Sequence, residues 1–150
     1  MDTTALLSRQ GHRLLQIGVA LLLFTSFEGF AVPYVAAPAL GRSVHTLSAL
    51  LAVLLLVSGL LWPRLRLGAT GSRLGFWFLV YSGLAIVAAF LLGSIWSAGS
   101  GTMPLAAAGA RGSPFQEAVI KLVAYSSAPT GIVAFALMLW GLREGPSAGH

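Results

Sequence analysis

Four long apolar stretches occupy most of this chain, and they constrain its fold more than any other feature: Leu14–Val35, Val44–Trp62, Leu74–Trp96 and Ala118–Leu142. A helix rises about 1.5 Å per residue, so about 20 apolar residues cross a hydrocarbon core about 30 Å thick. Each stretch has that length or close to it. Charged residues make up only 9% of the chain, against about 25% in a soluble domain. The reading is an all-α, polytopic membrane protein, a bundle of four transmembrane helices forming one domain over residues 1–150. The longest polar connection, Ser97 to Glu117, leaves no room for a soluble domain, and the tail Arg143–His150 reads as disordered.

There is no cysteine, which excludes disulfides and thiolate metal sites. The net charge of +5 comes mostly from basic residues scattered singly. It fits the positive-inside bias of a membrane protein, with no nucleic-acid partner expected. In a four-pass arrangement Arg9, Arg13, Arg64, Arg66, Arg73 and Arg143 share one side, and Arg42 and Arg111 the other. Both termini are therefore expected in the cytoplasm, in what reads as a bacterial inner membrane. Trp62, Trp77, Trp96 and Trp140 fall near span ends, as interfacial tryptophans do. A competing reading takes Arg9 and Arg13, the apolar run after them and Val35-Ala36-Ala37 as a signal peptide; Glu28 between the run and the cleavage site argues against it.

Small residues mark the expected packing faces: His45, Ser48, Ala52 and Gly59 on the second helix, Gly75, Ser82, Ala89 and Gly93 on the third. Lipid provides no hydrophobic drive for helix association, so close approach at small residues supplies much of the contact energy. Pro33 interrupts the end of the first span, and Pro129 should free the Tyr125 carbonyl and kink the fourth.

Four polar groups are expensive where they lie: Glu28, His45, Glu117 and Lys121, with Tyr125 one turn beyond Lys121. A charge at the bilayer centre costs about 2.5–3.5 kcal/mol, so such groups face an interior and have partners. Glu117 and Lys121 stand at the spacing of an i,i+4 ion pair. Glu28 has three candidate surroundings: Lys121, His45 or the outer headgroups. His45 is either a satisfied polar residue or a ligand, since imidazole serves metals and haem and titrates near neutral pH.

Several strings, taken in order, carry a resemblance. Gly11-His12-Arg13-Leu14-Leu15-Gln16 opens the first helix and Glu28-Gly29-Phe30-Ala31-Val32-Pro33 closes it. Ser58-Gly59-Leu60-Leu61-Trp62-Pro63-Arg64-Leu65 ends the second, and Ile95-Trp96-Ser97-Ala98-Gly99 leads on to Thr102-Met103-Pro104-Leu105-Ala106-Ala107. Gln116-Glu117-Ala118 opens the fourth helix and Leu139-Trp140-Gly141-Leu142-Arg143 ends it. Together they resemble the hydroxylaminobenzene mutase family, small four-helix membrane isomerases related to styrene oxide isomerase.

That resemblance implies an intramembrane isomerase acting without net redox change on a small aromatic substrate dissolved in membrane lipid. The reaction would convert an arylhydroxylamine to an aminophenol, or an aryl epoxide to an aldehyde. It further implies haem b at the interfaces of a homo-oligomer, a trimer, with the iron as Lewis acid and a histidine at the start of helix two as its axial ligand. His45 matches that position and is the expected cofactor and metal ligand. The chain departs from the family where polar residues are expected: Ala37, Leu47, Leu51 and Ile86 stand in place of asparagines and a glutamate. Glu28, Tyr81, Lys121 and Tyr125 are the candidate catalytic residues that remain. Two other readings stay open: a non-catalytic relative that binds haem or a hydrophobic ligand, and a membrane scaffold or carrier.

Overall fold

A computed structural model of the protein describes residues 2–143, so of the expected disordered tail only Arg143 falls within the described residues. Four long helices carry the fold: α1 (Thr3–Ala31), α2 (Pro38–Leu61), α3 (Ala69–Trp96) and α5 (Pro114–Gly141), with a single-turn α4 (Pro104–Ala107) in the outer loop. All four are long and apolar enough to cross a membrane. At 1.5 Å per residue the 29-residue α1 is about 44 Å long, longer than a hydrocarbon core about 30 Å thick.

Local chemistry sets the ends. The Asp2 side chain accepts from the Thr4 N–H at the start of α1. At the other end Pro33 cannot continue the helix, which tightens into a 3-10 turn at Val32–Tyr34. The Val32 N–H still reaches the Glu28 carbonyl. Helix α5 begins at Pro114, earlier than Gln116-Glu117 would indicate, because Ser113 and Gln116 form a reciprocal capping box. Pro129 sits inside α5 without ending it. Hydroxyls attend the surrounding carbonyls: Thr130 Oγ1 donates to Ser126 and Ser127, and Ser82 Oγ donates to the Ser127 carbonyl across the helix interface.

The helices pair as α1 with α2 and α3 with α5, and α2 against α3 joins the pairs. On the α1–α2 seam the backbones touch. A Cβ at Gly11 would lie 2.7 Å from the Gly59 carbonyl oxygen, and one at Gly59 2.9 Å from that of Gly11. The small stripe of α2 is thus this seam, with Ser48, Ala52 and Gly59 buried against α1. Because α1 is one half of this packed pair, and the Ala37 N–H is tied to the Ser94 carbonyl at 3.0 Å, the apolar run after Arg13 is part of the bundle.

Trp62 departs from expectation. It is fully buried, with its indole N–H donated to Gln10 Oε1 at 3.1 Å, while the Ser72 hydroxyl donates to the same oxygen. This polar knot ties the first turns of α1 and α3 to the end of α2. Trp77 and Trp140 do face outward, and the Arg143 guanidinium lies 4.0 Å over the Trp140 ring.

Candidate active site

Where α1 ends and α2 begins, two polar rungs cross between the helices. In the deeper rung Thr25 Oγ1 lies 2.9 Å from Ser48 Oγ, and these hydroxyls also donate to the Leu21 and His45 carbonyls. One turn outward, Glu28 Oε2 stands 3.3 Å from His45 Nδ1. The two ends of this rung differ sharply in burial: the Glu28 side chain is 7% exposed and the imidazole 47%. Glu28 Oε2 is buried with no aligned hydrogen bond, so the imidazole is its electrostatic partner and lipid or solvent does not reach it.

The backbone makes room for this arrangement at Gly29. A Cβ there would lie 2.9 Å from His45 Cε1 and 3.1 Å from Nδ1, closer than side chains tolerate. The ring therefore rests on the glycine with Nδ1 toward the carboxylate. Its outer edge faces a recess of about 320 Å³ lined by Gly29, Val32, Arg42, His45 and Thr46. One imidazole nitrogen faces a buried carboxylate, and ligating histidines usually give their second N–H to a carboxylate or carbonyl. Among the described residues no group of three or more His, Asp or Glu side chains could hold a metal ion. The site offers one imidazole per chain.

The other expected site residues lie elsewhere. Glu117 does not pair with Lys121. Its carboxylate accepts the backbone N–H groups of Gly99 at 2.7 Å, Gly112 at 3.1 Å and Gly101 at 3.2 Å, pinning the outer loop to the start of α5. Three preformed donors outcompete a flexible ammonium that would lose rotamer freedom to reach the same oxygens. Lys121 Nζ lies instead 5.7 Å from the centroid of the Tyr125 ring. The Tyr81 hydroxyl sits 2.7 Å from Ser126 Oγ, joining α3 to α5. Tyr81, Lys121 and Tyr125 line no part of the His45 recess. Of the expected site residues, only Glu28 is brought to His45.

Three of the positions where polar residues were expected converge. Leu47, Leu51 and Ile86 line one apolar groove between α2 and α3, with Ser82 contributing a hydroxyl. At about 100° per residue, Leu47 lies about 160° and Leu51 about 120° around α2 from His45, so the groove is on a different face of the helix. Residues not anticipated in sequence are Thr25, Gly29, Arg42 and Thr46. Thr25 had a signal: Thr25/Glu28 and His45/Ser48 are both i,i+3 pairs, which antiparallel helices bring into register.

Comparison with known proteins follows this geometry. A family model described as styrene oxide isomerase matches residues 10–143. The chain is 41% identical to hydroxylaminobenzene mutase HabB of Ectopseudomonas oleovorans, over 91% of this chain and 83% of that protein. It is 31% identical to hydroxylaminobenzene mutase HabA of the same organism, over 83% of this chain and 93% of that one. No solved structure matches the chain.

Proposed function

This chain belongs to the styrene oxide isomerase family, and on that premise we propose that it is an intramembrane isomerase that rearranges an arylhydroxylamine to an aminophenol at a haem b held by His45. Its isomerase character follows from the family. The substrate is supported by the two mutases, each similar over more than four fifths of the chain. The single observation that carries the site is a half-exposed imidazole backed by a buried carboxylate.

The residues fit the group. Among the described residues Glu28 Oε2 is a buried polar atom without a hydrogen-bond partner, 3.3 Å from His45 Nδ1, and Gly29 is a cradle that a side chain would fill. His45 would hold the iron through Nε2, leaving Nδ1 to Glu28. When bound, ferric haem supplies a Lewis acid for the substrate oxygen. The chain's own contribution is to hold the ligand nitrogen, to keep the imidazole in one tautomer, and to surround the recess with Val32 and the aliphatic stem of Arg42. The rearrangement moves a hydroxyl from nitrogen to a ring carbon and a ring proton to nitrogen, so it needs no external redox partner.

An imidazole half exposed to lipid is costly to leave uncovered. A homo-oligomer, taken as a trimer from the resemblance to styrene oxide isomerase, would cover it. Tyr81, Lys121 and Tyr125 lie on outward faces of α3 and α5 and would enter such a site only from a neighbouring copy. The distribution of arginines supports an inner-membrane protein with cytoplasmic termini.

A second reading, isomerisation of an aryl epoxide to an aldehyde, is favoured by one observation: Leu47, Leu51 and Ile86 make their groove apolar, and that groove would border a haem at His45 only from a neighbouring copy. Membranes containing the protein decide between the two. Hydroxylaminobenzene and styrene oxide are supplied without redox cofactor, and the aminophenol or the isomeric aldehyde is measured. Turnover of hydroxylaminobenzene in the parent and its loss in His45→Ala supports the proposal. Full activity in His45→Ala refutes the ligand assignment, and haem without turnover of either compound makes the chain a binder. Neither haem nor turnover leaves the scaffold reading.

A further inference from the structure

We propose that Glu28 is the positioning residue of His45: its carboxylate holds the Nδ1–H tautomer, aims Nε2 into the recess and makes the imidazole a strongly donating ligand. The inference rests on His45 being the haem ligand, and it goes beyond that reading by naming what determines the ligand's tautomer and donor strength.

Burial comes first. A carboxylate with a 7% exposed side chain inside a membrane helix is sustained only by a partner that compensates its lost hydration. Among the described residues no hydrogen bond to Oε2 is formed, and the group it points at is His45 Nδ1, 3.3 Å away. The ring's position supplies a second argument. Gly29 lies under the ring, nearest Cε1 and Nδ1 and farther from Nε2, so the Nδ1 edge is seated inward against Glu28 while His45 also lines the recess. The third is register. The Thr25–Ser48 contact lies one turn deeper, and Ser48 Oγ donates to the His45 carbonyl itself. That contact prevents α1 and α2 from sliding, so Glu28 stays opposite His45.

A simple interhelical ion pair would need none of this orientation. A positioning carboxylate has two consequences that an ion pair lacks. It selects a tautomer before any haem arrives, and it raises the electron density of the ligand nitrogen. Greater donation stabilises the ferric state, which is the state a Lewis acid needs in a redox-neutral rearrangement.

The test uses the full chain in detergent, in parent, Glu28→Gln and Glu28→Ala forms. The ¹⁵N shifts of labelled His45 are read without haem and assigned by their loss in His45→Gln. Haem affinity and the ferric/ferrous midpoint are then read with haem b added. The expected results are an Nδ1–H tautomer in the parent, lost in Glu28→Ala. Haem affinity should fall about tenfold or more in Glu28→Ala. Glu28→Gln keeps an acceptor of the same shape, so it should retain haem while its ferric/ferrous equilibrium shifts about tenfold toward ferrous, about 59 mV for one electron. A parent showing the Nε2–H tautomer, or variants with unchanged tautomer, affinity and midpoint, would overturn the proposal even if haem binds at His45. A locked tautomer with no haem uptake in any form would leave Glu28 as the group orienting His45 and remove the haem from the proposed function.

Discussion

Substituting Gly29 by alanine tests the geometry of the site with the smallest perturbation available, a single methyl group. The added Cβ would stand 2.9 Å from His45 Cε1 and 3.1 Å from Nδ1, whereas carbon atoms in good contact sit about 3.5–4.0 Å apart. The ring must retreat by roughly 0.5–1 Å, and catalytic or ligand geometry tolerates only about 0.5 Å. Glu28 is fixed in the seam behind it, so the retreat disturbs the Nδ1 contact and turns Nε2 together. Overpacking of this kind costs about 1–3 kcal/mol of stability. Loss of support for a metal ligand costs about 10–100-fold in affinity. Gly29→Ala should therefore bind haem b about 10- to 100-fold more weakly by titration of the Soret absorbance. Gly68→Ala is the control, since a Cβ there meets nothing within 4 Å. Parent-like affinity and spectrum in Gly29→Ala would refute the claim that the ring is seated on this glycine.

Gly11→Ala brings a Cβ within 2.7 Å of a backbone oxygen that cannot rotate away, so detergent melts should show a loss of about 1–3 kcal/mol. Glu117→Ala leaves the Gly99, Gly101 and Gly112 N–H groups without their acceptor; hydrogen exchange in the outer loop should rise at least tenfold, while Lys121→Ala leaves it unchanged. Leu51→Asn places an amide in the apolar groove beside Gly83. It should move the ratio of kcat/KM for hydroxylaminobenzene over styrene oxide upward by about tenfold, about 1.4 kcal/mol; an unchanged ratio would mean that the groove does not select substrate.

The helices were legible because twenty-odd apolar residues in a row admit few other structures, and Pro33, Pro63 and Pro114 punctuate them. Contacts between helices were not. The choice between Lys121 and His45 for Glu28 depends on which helices are neighbours, and sequence spacing along one helix carries no such information. The Glu117–Lys121 pair was expected because i,i+4 spacing is visible in sequence, whereas the backbone donors that win come from a loop folded back through left-handed residues at Ser97 and Gly99. Trp62 was expected at the interface from its place at a span end. Its burial follows from Gln10, whose amide becomes a partner only when α1 and α2 are antiparallel and in contact. The two i,i+3 pairs on α1 and α2 were legible in principle, and they are what the structure turns into the site.

The most direct test of the central claim is the absorption spectrum of the protein purified in mild detergent after haem-supplemented expression, beside His45→Ala. The account predicts a Soret band in the parent that is lost or shifted in the variant. A parent without the band, or a variant whose band is unchanged, would contradict it.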